Sequence, residues 1–208
     1  EEQGQTPRAV FASSNYNIIT QAPVATPSDL DGVKLMAAGA NAAWLEGTGA
    51  VPVQSGLTEA YNSLQTGVYS GVLMHYQGMS GFKLYEPAKH VAVTNFGSLP
   101  INMLTVNVET WNGLPEEVRA IIREVSAEFE TRVNRSNADR DLVALDGMKA
   151  AGVTVTAMSE EDISDWARAL SDLPRSAAAE GAGYGLPLGD VLARYIAILR
   201  EDGNRIVD

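Results

Sequence analysis

The chain has no cysteine, which excludes disulfides, thiolate zinc sites, iron–sulfur clusters and cysteine nucleophiles together. That absence is compatible with an oxidising compartment without specifying one. Histidine is nearly as scarce, with two residues, His75 and His90. Their separation is not that of paired ligands on one helix face, so no metal site is expected. Basic charge is also short: 15 Lys and Arg face 26 Asp and Glu, a formal charge of −11. Nucleic acid and anionic membranes both demand clustered cations, so neither is an expected partner. No apolar run reaches the roughly 18 residues of a membrane-spanning helix. The chain opens Glu1-Glu2-Gln3 without Met, and it is expected to be a processed or truncated product.

What remains is a well-mixed composition, 45% apolar and 20% charged over 208 residues, ample for a packed core. Short strand-like segments stand at 8–12 and 17–20, with a turn and capping residue at 26–32 before a buried strand at 33–36. A helix is expected over 40–47 and a short strand at 51–53, where Pro52 argues for an edge. Apolar residues at 57, 60, 61 and 64 predict a helix over 57–67. A strand at 71–74, a helix at 79–85 and strands at 90–94 and 101–108 follow. Leu114-Pro115-Glu116-Glu117 is a helix start, with proline early and acids at the positive end of the dipole. Val118, Ile121, Ile122, Val125, Phe129 and Val133 then mark an apolar stripe. The next bounding glycines are Gly147 and Gly152, giving a helix of about 50 Å that either breaks near 134–140 or bridges two lobes. A strand at 153–156, a helix carrying Trp166 and a last helix at 188–199 complete an α/β pattern.

Tests for catalytic chemistry return little. Gly47-Thr48-Gly49 meets Pro52 where a dinucleotide loop needs glycine, and it reads as a helix cap and turn. Gly78-Met79-Ser80-Gly81 lacks the spacing and context of a nucleophile elbow. His90, just before a strand, reads as a surface histidine. The acids sit on helix faces and first turns, where solvation and the dipole account for them. No enzyme, cofactor or metal is expected.

The segments Ser28-Asp29-Leu30-Asp31-Gly32-Val33-Lys34-Leu35, Gly49-Ala50-Val51-Pro52-Val53 and Leu57-Thr58-Glu59-Ala60-Tyr61-Asn62-Ser63-Leu64-Gln65-Thr66-Gly67 resemble, in order, the substrate-binding proteins of tripartite ATP-independent periplasmic (TRAP) transporters. Val93-Thr94-Asn95, Trp111 with Leu114-Pro115-Glu116-Glu117, and Ala151-Gly152-Val153-Thr154-Val155 continue the same order. The resemblance spans residues 1–170 and begins about a third of the way into the family pattern. It implies an α/β, periplasmic-binding-protein-like two-lobe fold with hinge strands and a long lobe-spanning helix, truncated here at the N-terminus. Residues 1–20 are then a first-lobe strand and hinge remnant, and 21–97 the second lobe. Residues 98–152 form the return strand and spanning helix, and 153–208 pack across the lobes. The implied function is periplasmic capture of a small organic solute for membrane permease subunits driven by an ion gradient. A ligand-sensing extracytoplasmic receptor module is the alternative on the same fold. The shortened first lobe is expected to expose apolar surface that favours a dimer or strand exchange.

Departures from the family pattern bear on the ligand. The arginine that clamps a carboxylate in the family stands where this chain has Met36, and a second arginine position falls near Tyr16. A neutral side chain cannot copy a bidentate guanidinium. The expected ligand-binding residues are Asn95, Met36, Tyr16, Met74, Tyr76 and His75. Asn95 takes its role from the resemblance. One reading places a neutral, cationic or aromatic solute on Met36, Met74, Tyr76 and Tyr16; the other has an acid held by His75 or Arg8. The first is preferred, although Met36 and Met74 suit strand core equally well.

Overall fold

A computed structural model of the chain describes residues 4–37, 39–98 and 101–203. Its centre is a six-stranded sheet formed by β2 (Asn17–Thr20), β3 (Lys34–Met36), β4 (Val51–Val53), β5 (Gly71–Met74), β6 (His90–Val93) and β8 (Thr154–Ala157), in the order β4-β3-β5-β2-β6-β8. β3 runs parallel to β4 and β5, β6 runs parallel to β8, and β2 is antiparallel to both β5 and β6. Five strands therefore end at one edge of the sheet, where β2 begins, with Asn17 opposite Met74.

Both faces of the sheet are covered, which is why β2 and β5 are buried along their whole length and read as apolar runs rather than alternating ones. Ile19, Met36, Val72, Met74 and Val91 point to one layer, closed by Leu64, Tyr69, Met79, Leu84 and Met148. Ile18, Leu35, Leu73 and Ala92 point to the other, closed by Leu30, Leu45, Met158 and Trp166. Pro52 lies on β4, the edge strand, as its missing N–H requires.

A separate two-stranded ribbon pairs β1 (Gln5–Ala12) with β7 (Ile101–Asn107), from Gln5 opposite Asn107 to Ala12 opposite Ile101. Its register slips between Pro7 and Ala9, where proline has no N–H to donate. Helix α1 (Ala60–Gln65) follows a 3₁₀ turn at Leu57–Glu59, and α2 (Tyr76–Gly81) starts directly after β5. α3 (Val108–Gly113) continues from β7 and leads to α4 (Glu116–Ala150); α5 (Glu160–Ala169), α6 (Asp172–Ala182) and α7 (Leu188–Glu201) close the described chain.

Several local expectations are revised. The segment expected as a helix over 40–47 is a 3₁₀ helix, Gly39–Leu45. The helix expected at 79–85 begins earlier, at Tyr76, because the His75 side chain caps it by accepting from the Gly78 N–H. α3 and α6 were not anticipated.

α4 runs unbroken for 35 residues, about 52 Å, through the polar segment at which a break was considered. Two of its side chains, Asn134 and Asn137, are bonded outside the helix. Asn134 Oδ1 accepts from the Ala12 N–H at 3.0 Å, and Asn137 Nδ2 donates to the Ala12 carbonyl at 2.8 Å. Glu130 accepts from the Val10 N–H at 3.3 Å, and Asp141 accepts from the Gln77 N–H at 2.8 Å. Glu130, Asn134, Asn137 and Asp141 recur at steps of four, three and four, which is one helix face. Glu130, Asn134 and Asn137 supply the outer edge of β1 with hydrogen bonds of the kind a further strand would give, while Asp141 bonds the start of α2. Ile121, Val125 and Phe129 of the apolar stripe are exposed; Phe129 makes an edge-to-face contact with Phe11 at 5.6 Å.

Asn137→Ala is expected to cost about 1–2 kcal/mol by removing the donor to the Ala12 carbonyl. Val143→Ala, at an exposed position of the same helix, should stay within about 0.5 kcal/mol. Urea unfolding of the two variants checks the pair; equal losses would remove the docking role from the polar face.

Candidate functional site

The strand ends converge on one edge, and the structure brings all six expected residues to it. Tyr16 precedes β2; Met36 and Met74 end β3 and β5; His75 and Tyr76 open α2; Asn95 follows β6. Their accessibilities differ. Met36 and Met74 are 5% and 4% exposed and belong to the core layer that also holds Tyr76. The buried Tyr69 hydroxyl lies 3.6 Å from Met36 Sδ and donates to the Ala60 carbonyl at 3.4 Å. Tyr16 is buried in the opposite layer, His75 is half-buried and Asn95 is exposed.

α2 is positioned by two caps. His75 Nδ1 accepts from the Gly78 N–H at 3.2 Å, so in the neutral ring the proton is on Nε2. The Asp141 carboxylate, reaching from α4, takes the Gln77 N–H and lies 3.7 Å from His75 Nδ1. Burial, and secondarily the charge of Asp141, push the Tyr76 phenol up to about 12. Burial also raises Tyr16.

Two side chains absent from the expected set complete the edge. Trp44, in the 3₁₀ segment after β3, stacks on Phe96 with centroids 5.6 Å apart and planes 20° apart. Phe96 meets the Trp166 ring edge-on at 4.7 Å, and Trp166 Nε1 donates to the Trp44 carbonyl at 3.0 Å. Tyr16 touches both Trp44 and His75 edge-to-face, at 5.8 and 5.7 Å. A continuous aromatic path thus runs from His75 to Trp166. The signal available in the sequence was positional: both rings lie just beyond strands that end at the same edge.

A cavity of about 470 Å³ opens beside this path, lined by Trp44, Asn95, Phe96, Trp166 and Tyr195 among others. Asn95 also borders a second cavity of about 430 Å³ next to β8 and α5. Arg8, the alternative donor for an acid, lies with its guanidinium 4.1 Å from the centroid of the Trp111 ring on α3 and donates to Thr6 Oγ1. Among the described residues no group of three or more His, Asp or Glu side chains is arranged to hold a metal ion.

Comparison with known proteins places this arrangement in a class. A family model for the bacterial extracellular solute-binding proteins, family 7, matches residues 1–180, and the chain belongs to that family. It is 30% identical over 174 residues to the C4-dicarboxylate-binding periplasmic protein DctP of Rhodobacter capsulatus, covering 82% of this chain and 52% of that protein. It is 27% identical over 149 residues to the 2,3-diketo-L-gulonate-binding periplasmic protein YiaO of Escherichia coli, covering 70% of this chain and 45% of the relative. The chain therefore spans about half the length of these curated relatives. Its fold is that of TRAP periplasmic solute-binding proteins. A solved structure from Desulfovibrio salexigens with bound orotic acid superposes at TM-score 0.82 and 22% identity, covering 96% of this chain and 65% of that one. One from Pseudomonas aeruginosa with bound L-malate superposes at 0.73 and 20%, covering 84% and 62%.

The raised Tyr76 phenol carries a sign. A proton held up to about 12 in the folded state but released near the ordinary 10.0 in the unfolded chain makes stability fall as pH rises between those values. Tyr76→Phe is expected to flatten that decline and to leave neutral-pH unfolding of the same shape. Denaturant midpoints measured from pH 9 to pH 12 check it, and a slope unchanged by the substitution would overturn it.

Proposed function

We propose that the chain is the ligand-contacting part of a periplasmic receptor that captures a small organic solute and hands it to TRAP permease subunits for ion-gradient-driven uptake. Membership of the family over residues 1–180 carries this reading, and the periplasmic, solute-binding names of the relatives support it. In the receptor, the six-stranded sheet serves as the second lobe, and it takes in β2 and β8 as well as the strands of residues 21–97 expected there, while the β1–β7 ribbon and α4 lead to the first. A solute bound between lobes stabilises the closed state in proportion to its preference for that state. The exposed Val10, Met103 and Leu104 on the ribbon and Ile121 and Val125 on α4 are apolar surface that a further lobe covers; where it is missing, the same surface favours a dimer or strand exchange.

The solute is not a simple dicarboxylate clamped from position 36. Met36 brings no charge to the strand-end edge, and its sulfur is beside the Tyr69 hydroxyl. A carboxylate buried there without a cation is destabilising by several kcal/mol. The solute instead rests against Tyr16, Trp44, His75 and Phe96, with Asn95 as a hydrogen-bonding group.

Mass spectrometry of the small molecule released on denaturation identifies the solute. In thermal-shift and calorimetric titrations, succinate, malate and sialic acid are expected to give no stabilisation. A micromolar or tighter dissociation constant for succinate or malate would sink the clampless site.

A further inference from the structure

The turn after β6 is held more firmly than a surface turn requires. Asn17, fully buried, accepts with Oδ1 from the Thr94 N–H at 2.9 Å and from the Asn95 N–H at 3.0 Å. Thr94 Oγ1 and the Phe96 N–H both donate to the Tyr16 carbonyl, at 3.2 and 3.1 Å, and the Tyr16 N–H donates to Gly97 at 2.9 Å. These bonds fix Asn95 at φ +50°, the left-handed region, where among the described non-glycine residues it is joined by Lys83 alone. Asparagine tolerates that region better than most residues, and such over-determined positions cluster where ligands are gripped. The Asn95 side chain is exposed, its carboxamide makes no hydrogen bond among the described residues, and it borders the cavity of about 470 Å³.

The chemistry of that cavity narrows what fits. None of its lining residues is charged, so a carboxylate or ammonium placed inside has no partner. Trp44 and Phe96 stack on each other with planes 20° apart, and with Trp166 they give the cavity an aromatic lining, which suits a further planar ring. A carboxamide presents a donor and an acceptor side by side, the complement of another amide edge.

We propose that the Asn95 cavity is the solute-recognition subsite and that it takes a neutral, planar, unsaturated ring bearing an amide-like edge, with Asn17 as the positioning residue that aims Asn95. This rests on the receptor reading above. The ring packs against the aromatic lining of Trp44, Phe96 and Trp166, and its amide edge pairs with the Asn95 carboxamide.

Tryptophan emission provides the readout. Trp44 and Trp166 line the cavity, and Trp111→Phe silences the third indole, which is on α3. In that background benzamide is expected to quench emission saturably. Cyclohexanecarboxamide, with the same amide on a puckered ring, and benzoate, with a charge, should each bind at least tenfold more weakly. Asn95→Gly keeps the left-handed turn and removes only the carboxamide; it should weaken benzamide about tenfold without loss of thermal stability. Asn17→Ser should weaken benzamide too, and adding Asn95→Gly to it should weaken binding no further. Unsaturable benzamide quenching, equal binding of the puckered analogue, or full affinity in Asn95→Gly overturns the proposal. Mass spectrometry separates the two levels. A captured non-planar solute overturns the ring class and leaves the receptor standing. Benzamide bound at Asn95 with no solute captured from periplasmic extract supports the ring class and overturns the receptor.

Discussion

The polar face of α4 is the constraint on which the remaining arrangement depends. Helices normally dock through an apolar stripe, but here Glu130, Asn134, Asn137 and Asp141 attach α4 to β1 and to α2 by hydrogen bonds. Each such bond contributes on the order of 1 kcal/mol net. Their worth is more directional than energetic. The Asn134 and Asn137 pair grips both the N–H and the carbonyl of Ala12, so neither sliding nor rotation of the helix preserves both bonds. The Asn137 carbonyl further accepts from Ser14 Oγ and Gln77 Nε2, at 3.1 Å each. One turn of α4 therefore fixes the end of the ribbon, the connection into β2 and the start of α2 together.

That attachment reaches the strand-end edge through Asp141. Its carboxylate caps α2 beside the His75 cap, and α2 carries the residues that close the core behind Met74. A position on a long, rigid helix is thus coupled by direct contact to a half-buried histidine of the candidate site. Contact of this kind transmits displacement only if α4 or α2 has two stable arrangements. α4 bonds both to β1 of the ribbon and to α2 beside the six-stranded sheet, so it is an element that joins the two.

Much of this organisation was legible in the sequence, for physical reasons that differ by element. The strands at 17–20 and 71–74 match β2 and β5 because a sheet covered on both faces forces short apolar runs between turn residues, while the match of 51–53 to the exposed edge strand β4 rests on Pro52 between two valines. The start of α4 was legible from Pro115 and the two glutamates that follow. Its docking face was not. Hydrophobic periodicity selects Ile121 and Val125, which are exposed, whereas the docked side is polar over 130–141 before it reaches the buried Met148, and its partners lie 64 to 125 residues away in the chain. Asn17 was hidden in the same way: it reads as an ordinary strand opening, and its two bonds go to residues 94 and 95. Trp44 and Phe96 flank the edge without any local periodic signal, so only topology reveals that they meet. The six residues expected at the site do reach one edge, but burial, which no local pattern encodes, separates Met36, Met74 and Tyr76 from the exposed Asn95.

The scarcity of cations becomes a statement about recognition once the edge is built. A receptor that grips anions needs a guanidinium already desolvated and aimed, and positions 36 and 16 supply a thioether and a phenol. The other available device is shape with one directed polar group. Holding a non-glycine residue in the left-handed region costs on the order of 1 kcal/mol or more. Here that cost is offset by the buried Asn17 carboxamide oxygen, which would be unsatisfied without the Thr94 and Asn95 N–H groups. Neither Asn17 nor the turn is stable in this form alone; each satisfies the other. Because Asn17 belongs to a central strand with pairing on both sides, the turn inherits the rigidity of the sheet. In the proposed receptor, selectivity at this edge comes from an aromatic lining and a fixed amide, which discriminate by geometry where a charge clamp would discriminate by sign.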